Sequence, residues 1–142
     1  MEYATLIWSP NSILNTHSLE SIQNNFLRFL SYKCRVEKQP HTSYDGILGF
    51  FSMSSLKNRR NNLILNFLFK LINNQIDCNY LLGKLNFKLN SNNTRNTNLF
   101  FLQNTHSDYS LHSPANMLMS VGNSANIDIF FCNINDIKNL FK

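Results

Sequence analysis

The chain has 142 residues, a length typical of a single domain, with 43% hydrophobic and 13% aromatic residues that make a real core feasible. The net charge of +5 permits binding to nucleic acid or to an acidic surface without establishing it. The longest apolar stretch, Leu63 to Ile72, is interrupted by Asn66 and Lys70 and is too short to span a bilayer, which excludes a transmembrane segment there.

The compartment is predicted from the cysteines and the N-terminus. Cys34, Cys78 and Cys132 are odd in number, widely spaced and without a C-x-x-C motif, which favours reduced and mostly buried thiols. The opening MEYATLIWSP lacks the basic region and the long apolar run of a signal peptide. We therefore expect an intracellular protein, cytoplasmic or nuclear, that is not secreted and has no membrane partner.

The first predicted elements are two helical segments. Glu2 to Trp8 is a short apolar run that ends at Ser9-Pro10, because proline disfavours helix in the residue before it. It starts abruptly, as the last two turns of a truncated helix would. A second helix is predicted from about Ser18 to Ser31, with an apolar face of Leu19, Ile22, Phe26, Phe29 and Leu30.

The stretch from Ser55 to Asn74 predicts the central helix of the fold. Its apolar residues recur with the helical period on more than half of the circumference, and Ser54 or Ser55 is the expected N-cap. We expect this helix to pack against the Phe26, Phe29 and Leu30 face. Its most buried residues are predicted to be Leu63, Ile64, Phe67, Leu68 and Leu71.

The remaining elements are short. Helices are predicted at Cys78 to Leu85, Pro114 to Asn123 and Ile134 to Lys142, and a short helix or turn at Ile47 to Phe51. Extended segments are predicted at Asn86 to Asn90 and Leu99 to Leu102, and Ile127 to Cys132 is apolar and compatible with a strand. The fold class is thus mainly α, a small helical domain around a central amphipathic helix, with one or two short extended segments. Residues 1–142 form one predicted domain.

No catalytic constellation is visible in the sequence. The acidic residues are isolated and never form the close pair that metal-assisted phosphoryl chemistry requires. Cys34 with His41, and His106 with His112, lack the spacing of zinc ligands, and no local signature marks a Cys-His nucleophile. The four glycines are dispersed, so a phosphate-binding loop is absent from the sequence. We expect no catalytic residue, no metal and no cofactor.

Arg59, Arg60 and Trp8 each allow two interpretations. The arginines lie near the start of the central helix, where the macrodipole disfavours cations, so a partner is expected. That partner is an ion-paired acid, with Asp45 or Glu37 as candidates, or loop carbonyls that accept hydrogen bonds, or else a nucleic-acid phosphate. Trp8 is either a core anchor, the favoured reading, or a platform on which a base stacks.

Five stretches, taken in order, carry a family resemblance. They are EYATLIWSP, LESIQNNFLRFLSYKC, SYDGILGFFSMSSLKNRRNNLILNFLFKLINNQIDC, NTRNT and SDYSLHSPANMLMSVGN. Together they resemble the region downstream of the catalytic core in jockey-like insect non-LTR retrotransposon reverse transcriptases. Positions that match the family pattern are Trp8, Pro10, Leu19, Glu20, Gln23, Phe26, Leu27, Arg28, Leu56, Arg59, Arg60, Arg95, Tyr109 and Pro114.

The resemblance implies a fragment of a larger polyprotein. Residues 1–8 would be the end of a truncated thumb helix, and residues 133–142 are an unmatched tail. The polymerase carboxylates would lie upstream, so the resemblance implies a thumb and C-terminal region without polymerase activity. The chain departs from the family at Asn24 and Asn25 and before NTRNT, where basic residues are usual.

The expected function is that of a non-catalytic remnant of an RNA-directed DNA polymerase with weak residual binding to RNA or DNA. The expected phosphate contacts are Arg28, Lys33, Arg35, Arg59, Arg60 and Arg95. The alternative is a host-recruited protein-interaction module that binds a partner through exposed apolar surface, or an expressed relic with no selected function.

Overall fold

The computed structural model describes residues 4–10, 12–36, 43–89, 98–103, 107–125, 129–133 and 137. Within them the chain is mainly helical, as predicted. The helices are α1 (Thr5–Trp8), α2 (Ile13–Cys34), α3 (Asp45–Phe50), α4 (Leu56–Ile72), α5 (Asn79–Leu82), α6 (Asp108–Leu111) and α7 (Pro114–Ala125). In this described part, none of the helices combines the length and the apolarity needed to cross a membrane. The predicted terminal helix at Ile134 to Lys142 lies outside these residues, apart from Ile137.

The main core lies between α4 and α7, which pack directly on each other, and α1 contacts both. From α4 the core takes Ile64, Leu65, Leu68, Phe69 and Leu71. Beyond that helix it is completed by Leu85, Phe100, Leu118, Met119, Ala125, Ile129 and Ile137. The central helix is therefore α4, as the sequence predicts.

The predicted buried face of α4 is partly wrong. Ile64, Leu68 and Leu71 are buried as expected, but Leu63 is exposed and Phe67 is only partly buried. Leu65 and Phe69 are buried in their place. The helix α4 is apolar on most of its circumference, so periodicity alone does not predict which side is buried. The side centred on Leu68 is buried because α7 packs there.

A short extended segment joins the main core. Phe87 and Phe100 form an isolated antiparallel bridge, in which the Lys88 N–H donates to the Leu99 carbonyl at 2.9 Å. On its other edge the Asn123 side chain of α7 accepts from the Phe100 N–H at 2.9 Å and donates to the Phe100 carbonyl at 3.0 Å. One amide side chain thus satisfies both backbone groups of a buried residue.

The helix α7 approaches its neighbours closely at Gly122. A Cβ atom built there would lie 2.7 Å from Cε2 of Phe100 and 2.9 Å from Cδ2 of Leu68. Such distances are shorter than real contacts allow. Glycine at this position therefore permits the contact of α7 with both α4 and the extended segment.

The helix α2 packs through a different face from the predicted one. Its buried residues are Gln23, Leu27 and Ser31, whereas Phe26 is 51% and Phe29 is 55% exposed. Leu27 forms a small second core with Ile47 and Leu48 of α3. The predicted packing of α4 against Phe26 and Phe29 is therefore wrong, because α3 occupies the side of α2 centred on Leu27.

Polar contacts join α2 to the start of α4. The Leu56 N–H donates to Oε1 of Gln23 at 3.0 Å, and Gln23 returns a bond from Nε2 to the Ser54 carbonyl at 3.1 Å. The Lys57 N–H donates to Oε1 of Glu20 at 3.1 Å. The Ser55 hydroxyl, one of the two predicted N-caps, accepts a hydrogen bond from the Asn58 N–H at 3.2 Å. Side chains thus satisfy the donors that a helix N-terminus leaves free.

Candidate nucleic-acid interface

Three of the predicted phosphate contacts lie together at the C-terminal end of α2. Arg28, Lys33 and Arg35 are all exposed. Arg35 ends the helix in the left-handed conformation, with φ of 54°. There the Val36 N–H donates to the Ser31 carbonyl at 3.0 Å and the Arg35 N–H to the Tyr32 carbonyl at 3.4 Å, the bonding pattern of a Schellman motif. The backbone at this end of the helix is therefore well defined.

Aromatic rings lie between these cations. At about 100° per residue, Arg28 and Lys33 are about 140° apart around the helix. Phe29 and Tyr32 project between them, on the side opposite the buried Leu27. Tyr32 is 82% exposed, and Nζ of Lys33 lies 5.8 Å from the centroid of the Phe29 ring, within cation–π range. We call the surface formed by Arg28, Phe29, Tyr32, Lys33 and Arg35 the outer face of α2.

The electrostatics of the outer face favour an anionic ligand. Glu20 is the only acidic residue within α2, and its carboxylate is directed to the start of α4. Lys33 lies in the last turn of α2 and Arg35 is its C-cap residue, where the macrodipole stabilises positive side chains, whereas Arg28 lies more than one turn earlier. The outer face therefore carries three positive charges that no acid on the same helix neutralises.

Arg60 is not part of this surface. Its side chain is buried, with the residue 7% exposed, and its Nε donates to the Leu56 carbonyl at 3.1 Å. Nη2 lies 3.5 Å from Oε1 of Glu20. The ion-pair interpretation therefore holds for Arg60, but the acid is Glu20 rather than Asp45 or Glu37, which lies outside the described residues. The prediction of Arg60 as a phosphate contact is accordingly wrong, because its side chain is only 8% exposed and its guanidinium faces Glu20.

The remaining two predicted phosphate contacts are Arg59 and Arg95. Arg59 is partly buried and has an interaction of its own within the fold. Arg95 lies outside the described residues. The structure thus brings together Arg28, Lys33 and Arg35, and it does not bring Arg59 or Arg60 into their surface.

Two further expectations from the sequence are corrected. Trp8 is 77% exposed at the end of α1, so it is not the core anchor that was favoured. Cys34 is exposed, and Cys78 and Cys132 are only partly buried, so the thiols are not mostly buried, although none of the three forms a disulfide. In the described residues, no group of three or more histidine, cysteine or acidic residues is arranged to hold a metal ion.

The aromatic rings of the site do not follow from the helical period of the sequence. That period does not mark Tyr32 as part of a binding surface, and the predicted amphipathic face places Phe29 in the core. The alternation of aromatic and basic residues in FLRFLSYKCR was the available signal, but the helical period of the phenylalanines favoured burial. Nothing in the periodicity indicates that Glu20 and Gln23 cap another helix.

No protein-family model, curated protein or solved structure matches the chain. The resemblance to jockey-like reverse transcriptases therefore stays a prediction.

Proposed function

We propose that this chain is a non-catalytic nucleic-acid-binding domain, derived from the thumb and downstream region of a non-LTR retrotransposon reverse transcriptase. The observation that carries the binding proposal is the outer face of α2, where Arg28, Lys33 and Arg35 are exposed around aromatic rings. The proposed origin of the chain in a reverse transcriptase is supported by the family resemblance alone.

Phosphate neutralisation determines how binding at the outer face depends on salt. Arginine and lysine that contact phosphates release condensed counterions, so the affinity falls as salt rises. Three cations on one convex helix surface predict weak binding with a shallow salt dependence. The slope of log K against log salt concentration would be about −2 for three contacts to a single strand.

The test is a titration of the purified chain into labelled RNA and DNA, single-stranded and duplex, between low and physiological salt. We expect binding at low salt that weakens with the predicted slope. An affinity that is absent at low salt, or that does not respond to salt, would contradict the proposal.

The absence of polymerase activity is a separate part of the proposal. It is supported by the isolated acidic residues of the sequence and by the implied upstream position of the polymerase carboxylates. Incubation with a primed template, labelled nucleotides and Mg²⁺ should give no incorporation above a no-protein control. Incorporation that chelation abolishes would refute this part.

A protein-interaction module is the second candidate function. It is favoured by the half-exposed Ile22, Phe26 and Phe29, which lie along one side of α2. Apolar side chains that line up on a helix surface are a common docking feature. Size-exclusion chromatography with light scattering over a range of concentrations tests it for self-association. A monomer at every concentration argues against docking between copies.

A further inference from the structure

We infer, on the basis of the proposed function, that the outer face of α2 prefers single-stranded nucleic acid to duplex, with bases stacking on Phe29 and Tyr32. The outer face carries two aromatic side chains, Phe29 and Tyr32, that a purely electrostatic surface would not need. Phe29 and Tyr32 are exposed beside the cations and are not packed into either core.

The geometry of the rings suits stacking. Phe29 and Tyr32 are three residues apart on a helix, so their Cβ atoms are neighbours separated by about 5–6 Å. Lys33 lies over the Phe29 ring, so a cation is held next to an aromatic platform. Arg28 borders the other side of the rings. A strand that crosses the outer face can therefore place its bases on the rings and its phosphates beside the cations.

A duplex cannot use the same groups. Its bases are already stacked on each other, so an exposed phenylalanine gains no stacking partner without opening the helix. A duplex would contact Arg28, Lys33 and Arg35 only through its phosphates. The rings should therefore contribute to the binding of a single strand and contribute little to the binding of a duplex.

The first experiment compares binding of labelled single-stranded RNA, single-stranded DNA and duplex DNA by fluorescence anisotropy. The strands should be about 20 nucleotides long, which exceeds the site size of a small module. We expect either single strand to bind at least about 5-fold more tightly than the duplex, as one stacked base would produce. Equal or tighter binding of the duplex would overturn the inference.

The variants Phe29→Leu and Phe29→Tyr isolate the aromatic contribution. Both keep an apolar body at a half-exposed position, but only Phe29→Tyr keeps the ring. We expect Phe29→Leu to lose about 5-fold or more of the single-strand affinity, with duplex binding within about 2-fold of the parent, and Phe29→Tyr to retain both. Equal behaviour of the two variants would show that the ring is not used.

A matched control lies on α5. Tyr80 is also exposed, and Nζ of Lys84 lies 5.4 Å from the centroid of its ring, yet this pair is not on the outer face of α2. Tyr80→Leu should leave every affinity unchanged. A loss equal to that of Phe29→Leu would place the binding elsewhere and overturn the inference.

A spectroscopic measurement tests stacking itself. Trp8 is the only tryptophan of the chain and is exposed, so a Trp8→Phe background is dark at tryptophan wavelengths. Phe29→Trp in that background reports on the outer face. We expect its fluorescence to be quenched by single strands and not by duplex. Binding without quenching overturns the inference and leaves the proposed function intact, whereas failure of all nucleic acids to bind at low salt refutes the proposed function.

Discussion

The two cores of the molecule are built on different kinds of contact. The main core between α4 and α7 is a continuous set of buried apolar side chains that reaches Phe100 and Ile129. The second core joins Leu27 to two residues of α3, and α2 is further attached through Gln23 and Glu20 at the start of α4. This difference separates the region that stabilises the fold from the region that leaves aromatic and basic side chains free to bind.

The largest expected effect compares equal truncations in the two cores. Leu68 and Leu27 are both fully buried, and leucine-to-alanine changes in cores cost about 2–5 kcal/mol of unfolding free energy. We expect Leu68→Ala near the upper end and Leu27→Ala near the lower end, because the small core has fewer neighbours around the cavity. Urea denaturation measures both. A larger cost for Leu27→Ala would invert the comparison.

Glycine-to-alanine changes should have opposite signs in the two regions. At Gly122 the new methyl group would clash with Phe100 and Leu68, and overpacking costs about 1–3 kcal/mol. At Gly49 in α3 a Cβ meets nothing within 4 Å, so alanine should stabilise by up to about 1 kcal/mol through helix propensity. Thermal melts of Gly122→Ala and Gly49→Ala decide this. Two shifts in the same direction would contradict the packing described.

The polar attachment of α2 is tested at Gln23. The Gln23→Ala change leaves the Leu56 N–H and the Ser54 carbonyl without their side-chain partner. The loss of such a cap costs about 1–2 kcal/mol. The exposed Asn25 on the same helix is the control, and Asn25→Ala should leave stability unchanged or raise it by up to about 0.7 kcal/mol through helix propensity. Chemical denaturation measures the free energy of unfolding of both variants. Equal values would show that the contact of Gln23 with the start of α4 does not stabilise the attachment of α2.

The smallest effect concerns Asn66, a partly buried polar residue of α4. Oδ1 of Asn66 is buried and has no hydrogen-bond partner. Replacing it by alanine removes an unsatisfied acceptor and improves helix propensity, so Asn66→Ala should stabilise by about 0.5–1 kcal/mol. A destabilised variant in urea melts would show that this amide is satisfied in solution.

The sequence was sufficient for the elements whose evidence is local. The central helix, a serine cap at Ser54 or Ser55, the helix at Pro114 and the extended segments around Phe87 and Phe100 follow from periodicity, capping and alternation. The pairing of Phe87 with Phe100 does not follow from these local patterns. The orientation of a helix, that is, which of its sides is buried, was not predictable in the same way. The helix α4 is apolar on most sides, so its buried sector depends on where α7 packs.

The cations of the candidate site were predicted from the sequence, but the exposure of its aromatic rings was not. Arg28, Lys33 and Arg35 are exposed as phosphate contacts require, but the amphipathic pattern assigned Phe26 and Phe29 to the core. Two tertiary features reversed that orientation, namely the packing of α3 on Leu27 and the capping of α4 by Gln23. Both depend on residues distant in sequence, which single-chain periodicity does not reveal.

The central claim is that the outer face of α2 binds nucleic acid, and two charge-matched triple variants test it most directly. Arg28→Gln, Lys33→Gln and Arg35→Gln together remove three positive charges from the outer face. Lys57→Gln, Lys70→Gln and Lys84→Gln remove three from exposed positions elsewhere. The net charge of both variants is the same, so non-specific attraction to a polyanion is matched.

The measurement is the salt dependence of single-strand affinity for both triple variants and the parent chain. We expect the α2 variant to lose affinity and its slope of log K against log salt to become shallower by about 2. The Lys57, Lys70 and Lys84 variant should keep the parent slope. Equal losses in the two variants, or a larger loss in the second, would contradict the account.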